Sequence, residues 1–237
     1  MARENFEREL QRLQDEVLLL GSMAEQAVLD AVTALRQMDR KVAREIRQGD
    51  QKINEKRYQI EQSTLIAIAT QQPMARDLRF LAAILEIITE LERIGDYAKG
   101  IAGIVLMLDK DNVDIPKGDL KRMADLGLDM LHRALGAFMD RDPDTARAIT
   151  SEDDEIDALY NKIYRKLLKH MMVDPSTVDN ATRLMWAAHN LERLGDRVTN
   201  ICERVVFVVT GEIKELDHTE DDYEAIKHKK EEQKFEP

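Results

Sequence analysis

Cysteine occurs once, as Cys202, in a chain of 237 residues. No intramolecular disulfide can form, and such sparing use fits a reducing compartment. Proline (five) and glycine (ten) are also scarce, and aromatic residues make up 5%. Beside abundant Ala, Leu, Glu, Arg and Ile, that composition favours helix over sheet. An excess of positive charge is missing too, since the formal net charge is −11. Nucleic-acid binding needs a basic surface that neutralises phosphates, so no nucleic acid is expected as a partner. An anionic membrane surface is disfavoured for the same reason. No apolar run approaches the ~20 residues a membrane helix needs, and 205–209 is only a short patch. The opening MARENFEREL is charged and unlike a signal peptide. A G-x-x-x-x-G-K phosphate loop is absent, which disfavours nucleotide binding. A cytoplasmic chain is the expectation.

What is present is helical periodicity. Leu10, Leu13, Val17, Leu20, Ala24, Ala27, Ala31, Ala34 and Met38 are spaced alternately three and four. Ile84, Ile87, Leu91, Ile94, Ala98, Ile101, Val105 and Leu108 repeat that spacing. Such stripes bury along helices packed nearly parallel. Breaks at 39–40, Pro73, 109–118, 142–143 and 174–175 separate six expected helices, over 4–38, 41–71, 75–108, 118–139, 144–172 and 177–210. Asp142 before Pro143 reads as an N-cap with proline in the first turn. The last three helices mirror the first three. Asp39, Ala43, Asp50 and Ile53 match Asp142, Ala146, Asp153 and Ile156 at an offset of 103. The fold class is therefore all-α: two tandem pseudo-symmetric three-helix bundles from an internal duplication. The expected domains are 1–112, 113–212 and a charged tail, 213–237, expected to be disordered.

One hexapeptide is written twice, LERIGD at 91–96 and LERLGD at 191–196. Glu92 and Asp96 stand at i, i+4, as do Glu192 and Asp196. Like charges at that spacing cost a few tenths of a kcal/mol, and a mid-helix glycine costs about 1 kcal/mol against alanine. Counting outward from the hairpin turns supplies a reason. Asp50 and Asp96 both lie 23 residues from Pro73, and Asn54 and Glu92 both lie 19. Around Pro175, Asp153 and Asp196 lie 22 and 21 away, and Asp157 and Glu192 lie 18 and 17. Antiparallel helices would bring these residues side by side.

Converging carboxylates call for positive charge. Oxygen ligands of this kind suit Mg²⁺, Ca²⁺, Mn²⁺ and iron, with zinc also allowed. The glycine would let a neighbouring helix or a ligand approach closely. Solvated acidic faces are the plainer reading, with Arg93 pairing to Asp96. Further ligands from Glu25, Asp30, Asp125 or Asp129 are a weaker idea, and these read better as ordinary surface carboxylates. His189 has Thr89 as its counterpart, so the repeat does not support it as a ligand. Cys202, Met185 and Trp186 read as packing residues. No nucleophile–base set is visible, so the chain is not expected to be an enzyme. The alternative is a phosphoester hydrolase using a multinuclear metal site.

The stretches QQPMARDLR, DLRFLAAILEIITELERIGDYAKGIA, DDEIDALY and AAHNLERLGDRVTNICERVV resemble the PhoU family of phosphate-uptake regulators. The likeness covers about 5–212. It implies two three-helix bundles, each with a surface metal cluster, iron or zinc, on E(D)-x-x-x-D motifs. By position those are Glu92 and Asp96 with Asp50, and Glu192 and Asp196 with Asp153 and Asp157. Asn54 departs from the pattern, because an amide brings no charge, and implies a weaker first cluster. The resemblance further implies a cytoplasmic negative regulator of phosphate uptake and starvation signalling. Its partners would be the ATPase subunit of a phosphate ABC transporter and a PhoR-type sensor histidine kinase. Contact with the membrane would come only through those partners, and a homodimer is allowed.

Overall fold

Periodic apolar stripes close into seven α-helices in the computed structural model, which describes residues 2–109 and 115–216. Helices α1 (Ala2–Gln37), α2 (Arg40–Gln71) and α3 (Ala75–Met107) form the first half. The second half holds α4 (Lys117–Asp140), α5 (Pro143–Thr150), α6 (Asp153–Val173) and α7 (Val178–Thr210). No strand occurs among the described residues. The boundary expected at 112/113 and most of the expected tail lie outside the described residues.

The first turn of each half is built alike. Met38 and Arg141 adopt left-handed backbone (φ 57° and 55°). The next N–H reaches back in each case, Asp39 to Ala34 O and Asp142 to Ala137 O, both at 2.9 Å. Each aspartate then caps the following helix. Asp39 accepts from the N–H groups of Lys41 and Val42, and Asp142 from those of Asp144 and Thr145. The Thr145 hydroxyl also donates to Asp142, and these bonds hold its carboxyl below the usual carboxylate range.

The helix expected over 144–172 is in fact two. Thr150 Oγ1 donates to Arg147 O at 2.9 Å, and Ser151 Oγ to Ala148 O at 2.8 Å. Hydroxyls bonded back to the preceding turn compete with helix continuation. The equivalent residues in α2, Arg47 and Gln48, cannot do this, and α2 runs on.

The central stripe of α3 is fully buried as expected, from Ile84 to Val105. It packs antiparallel to α7, as three contacts show. Arg204 Nη1 lies 2.9 Å from Glu86, Arg197 Nη1 lies 3.2 Å from Glu90, and Arg193 Nε donates to Tyr97 Oη at 3.0 Å. Helix α1 holds one stretch long and apolar enough, by composition, to cross a membrane, contrary to the sequence expectation. Its apolar face is spent within the bundle, where Val17, Leu20, Ala24, Val28, Ala31 and Leu35 are buried.

The two halves share one core. Phe80 of α3 stacks on Phe138 of α4, with centroids 5.0 Å apart and ring planes 3° from parallel. Both rings are buried, and the Arg141 guanidinium lies over Phe80. Phe138→Ala is expected to cost about 3–5 kcal/mol. Because the ring joins the halves, urea unfolding should stay a single transition with a lower midpoint. Separate unfolding of the halves in the wild-type chain would contradict the shared core.

Candidate functional site

The register counted from the prolines is the one observed, and the glycine of each hexapeptide is where the helices meet. A Cβ on Gly95 would stand 3.0 and 3.2 Å from two Ile53 carbons of α2. One on Gly195 would stand 2.0 Å from Asp153 Oδ1 and 3.2 Å from Ile156 Cδ1 of α6. The glycine therefore admits the neighbouring helix, and the equivalent residues Ile53 and Ile156 flank it in the two halves, with Asp153 also present in the second. Tyr97 lies two residues after Gly95 and Arg193 two before Gly195. Their contact across antiparallel α3 and α7 sets the two motifs at one level.

In the first half Asp50 is only 6% exposed. Its Oδ2 accepts from Lys99 Nζ at 2.6 Å and, weakly, from Asn54 Nδ2 at 3.4 Å. Lys99 also reaches Asp96 Oδ1 at 3.5 Å. Its ammonium thus bridges two of the expected cation ligands, and the Asp50 contact holds its pKa above the ordinary lysine value. Among the described residues no donor meets Asp50 Oδ1 or Asn54 Oδ1, though both are buried. Glu92 is pushed above its usual pKa by burial and then by Asp96, with Arg57 and Arg93 opposing. Arg93, expected to pair with Asp96, is exposed. Lys99 takes that role.

The second half holds the same frame with different compensation. Thr199 stands where Lys99 stands, and the Arg197 guanidinium lies 4.0 Å from Asp196. Its hydroxyl is buried and meets no hydrogen-bond partner among the described residues. Asp157 replaces Asn54, adding a carboxylate. Glu192 is raised by burial, then by Asp196 and Asp157, while His189 opposes. His189 Nδ1 lies 2.9 Å from Glu192 Oε2, and its ring is flanked by Tyr160 and Trp186. Trp186, expected in packing, is 61% exposed.

All eight candidate residues thus fall on the two helix pairs that the counting named. Among the described residues, no three His, Cys, Asp or Glu side chains stand close enough to share one ion as they are. Holding a cation requires side-chain rearrangement, above all release of Asp50 and Asp96 by Lys99. The weaker candidates meet other surface side chains. Glu25 is 3.8 Å from His132, Asp125 pairs with Lys121 and Asp129 with Arg133. Asp30 accepts from Gln26 Nε2. Cys202 is buried, and burial pushes its thiol up to about 12, consistent with packing. Sequence reasoning missed Lys99 and set His189 aside. Lys99 was detectable as the i+3 neighbour of Asp96, on the same helix face.

Fold and site define an internally duplicated, all-helical protein with a paired-carboxylate cluster in each half. A family model described as "PhoU domain" matches residues 17–105 and 120–205, and the chain belongs to that family. It is similar to the phosphate-specific transport system accessory protein PhoU homolog of Clostridium acetobutylicum, 36% identical over 91% of this chain and 99% of that one. Likeness to PhoU of Escherichia coli strain K12 is 35%, over 87% and 86%. The crystal structure of the phosphate transport system regulatory protein PhoU from Streptococcus pneumoniae matches with a TM-score of 0.83 at 32% identity. That match covers 88% of this chain and 99% of that one. PhoU from Pseudomonas aeruginosa matches with a TM-score of 0.82, also at 32% identity, over 87% and 100%.

Two outcomes follow from the packing and the charge. Gly95→Ala should stay within about 1 kcal/mol of wild type, since alanine's helix propensity offsets mild crowding of Ile53. Gly195→Ala should lose about 1–3 kcal/mol, because it displaces the Asp153 carboxylate. Equal losses in urea unfolding would contradict the asymmetry. A carboxyl whose folded pKa exceeds its unfolded value adds stability when protonated and loses it as pH rises through the folded pKa. Glu192 therefore opposes folding at neutral pH when no cation meets it. Glu192→Gln should raise the neutral-pH melting temperature in chelator, and the gain should vanish as pH falls toward 4.5. A gain that persists at low pH would contradict this.

Proposed function

We propose that this chain is a cytoplasmic, metal-bearing, non-enzymatic negative regulator of phosphate uptake. In this reading it works as an adaptor between a phosphate ABC transporter's ATPase subunit and a PhoR-type sensor histidine kinase. The names of its relatives, phosphate transport accessory and regulatory proteins, support the physiological part. The observation that carries the molecular part is the doubled cluster of like charges on close-packed helices. Crowded carboxylates beside a helix-weakening glycine are costly, and a bound cation would offset that cost.

The two halves fit a cation unequally. Asp153, Asp157, Glu192 and Asp196 offer four carboxylates against three in the first half, with Thr199 in place of Lys99, and on that count the second half is the stronger site. Oxygen donors of this kind suit Mg²⁺, Mn²⁺, Ca²⁺ and iron, with zinc allowed, and the family resemblance favours iron or zinc among them. A bound metal would supply fixed positive charge there, and His189 stands ready as a nitrogen donor beside Glu192. In the first half, where Asn54 and Glu92 complete the set, Asp50 and Asp96 already meet Lys99. That ammonium is an internal substitute for the cation, and Asn54 reduces the charge to be met. Asp50 Oδ1 and Asn54 Oδ1 remain as oxygens that suit a metal once Lys99 swings away.

The adaptor reading is tested by pulldown of the transporter ATPase and the kinase's cytoplasmic part, with and without metal and phosphate. Capture of either supports it, and failure of both under every condition overturns it. The metal reading is tested on Lys99→Met. Loss of the counter-charge to nearly buried Asp50 should cost on the order of 1–2 kcal/mol in chelator, discounted for Lys99's exposure. Added Fe²⁺ or Zn²⁺ should restore the lost stability and raise the bound metal above wild type. No restoration by any cation would contradict a cation role for the first cluster.

A further inference from the structure

The repeat provides an internal comparison of the corner between the first two helices of each half. In the second half Arg133 crosses that corner. Its Nε meets Asp129 Oδ2 at 2.9 Å on its own helix. Its Nη1 donates to Glu152 Oε1 at 2.9 Å, and Nη2 also pairs with Glu152, at the α5–α6 junction. The guanidinium is thus held bidentate, the strongest geometry for such a pair.

At the same offset of 103, Asp30 stands where Arg133 stands and Gly49 where Glu152 stands. The arginine and its acceptor are both gone. What remains is a groove of about 450 Å³ between α1 and α2. Its walls are apolar, from Met23 and Ala27 on α1 and Val42, Ile46 and Ile53 on α2. Asp30, Glu45, Asp50 and Lys52 line it; Glu45 reaches Lys41 and Asp50 reaches Lys99, whereas Asp30 accepts from the neutral amide of Gln26. A Cβ on Gly49 would meet nothing within 4 Å, so the groove is open at the point Glu152 fills in the other half. Val42 and Ile53 are eleven residues apart, about 16 Å of helix. That length fits a polypeptide segment better than a free amino acid.

We propose that the α1–α2 groove docks a partner-protein segment that inserts an arginine between apolar residues, supplying in trans the guanidinium that Arg133 supplies in cis. Asp30 at the rim selects the charge, and the walls take the alkyl stem and flanking side chains. Because Asp50 closes the inner end, the docked arginine lies beside the first carboxylate cluster. This places partner binding and the Lys99-bridged cluster within one connected surface. The inference draws on the adaptor reading only in taking the occupant to be a protein.

The test is selection of a phage-displayed random peptide library on the full chain, followed by affinity measurement on three proteins. Enriched peptides should share an arginine flanked by apolar residues. They should bind Asp30→Arg/Gly49→Glu, which transplants the second-half pair, at least about tenfold more weakly than wild type. Asp30→Asn should weaken them less, while arginine-to-glutamine peptides should lose binding. The open space at Gly49 leaves room for the transplanted glutamate, and circular dichroism confirms that each variant is folded. Failure to enrich any peptide, enrichment without arginine, or equal binding to the transplanted variant would each overturn the proposal. The experiment uses neither transporter nor kinase, so its failure leaves the adaptor reading standing.

Discussion

Close approach at Gly95 and Gly195 fixes the rest of the molecule. Each glycine removes the side chain that would hold the neighbouring helix away, and the equivalent isoleucines Ile53 and Ile156 lie against the space, with Asp153 beside Ile156 in the second half. Glycine is costly within a helix, but here it decides how near a buried aspartate comes to the motif on the facing helix. Helix α3 packs on α7 with both glycines at one level, so the two clusters share a common frame. A longer side chain at either position would separate the carboxylates before any question of ligand arose.

Within that frame the halves have diverged in how they meet their charge. The first half carries its own cation, Lys99, and exchanges one carboxylate for Asn54. The second omits the lysine, adds Asp157 and places His189 against Glu192. At the neighbouring corner the divergence runs the other way. The second half carries Arg133 paired to Glu152, and the first leaves an acidic groove. Each half therefore contains internally one cationic group that the other lacks. A duplicated bundle can in this way present one surface for a metal and another for a protein without altering its backbone plan.

The fold was legible because its signals are rigid and local. Apolar spacing marked the stripes, prolines marked the turns, and constant helical rise let residues be paired by counting. Asp50 thus reached the level of Asp96, and Asp153 reached Gly195. Rod-like counting failed where the rod broke. Thr150 and Ser151 turn their hydroxyls back onto the chain, and the expected fifth helix divides. Side-chain choices were less legible. Lys99 could have pointed to solvent, and only packing shows it bridging Asp50 and Asp96. The repeat itself also hid differences. Demanding agreement between halves discarded His189 because Thr89 faces it in sequence, and never raised Arg133. Features that specialise one half are the ones a comparison between halves sets aside.

Unequal charge compensation is the central claim, and anomalous diffraction tests it most directly. Crystals grown with Fe²⁺ or Zn²⁺ should show, at the metal's absorption edge, a strong peak among Asp153, Asp157, Glu192 and Asp196. The Asp50–Asp96 site should show a weaker peak or none, with Lys99 still bridging. Equal peaks at both clusters, or a peak only in the first half, would contradict the account.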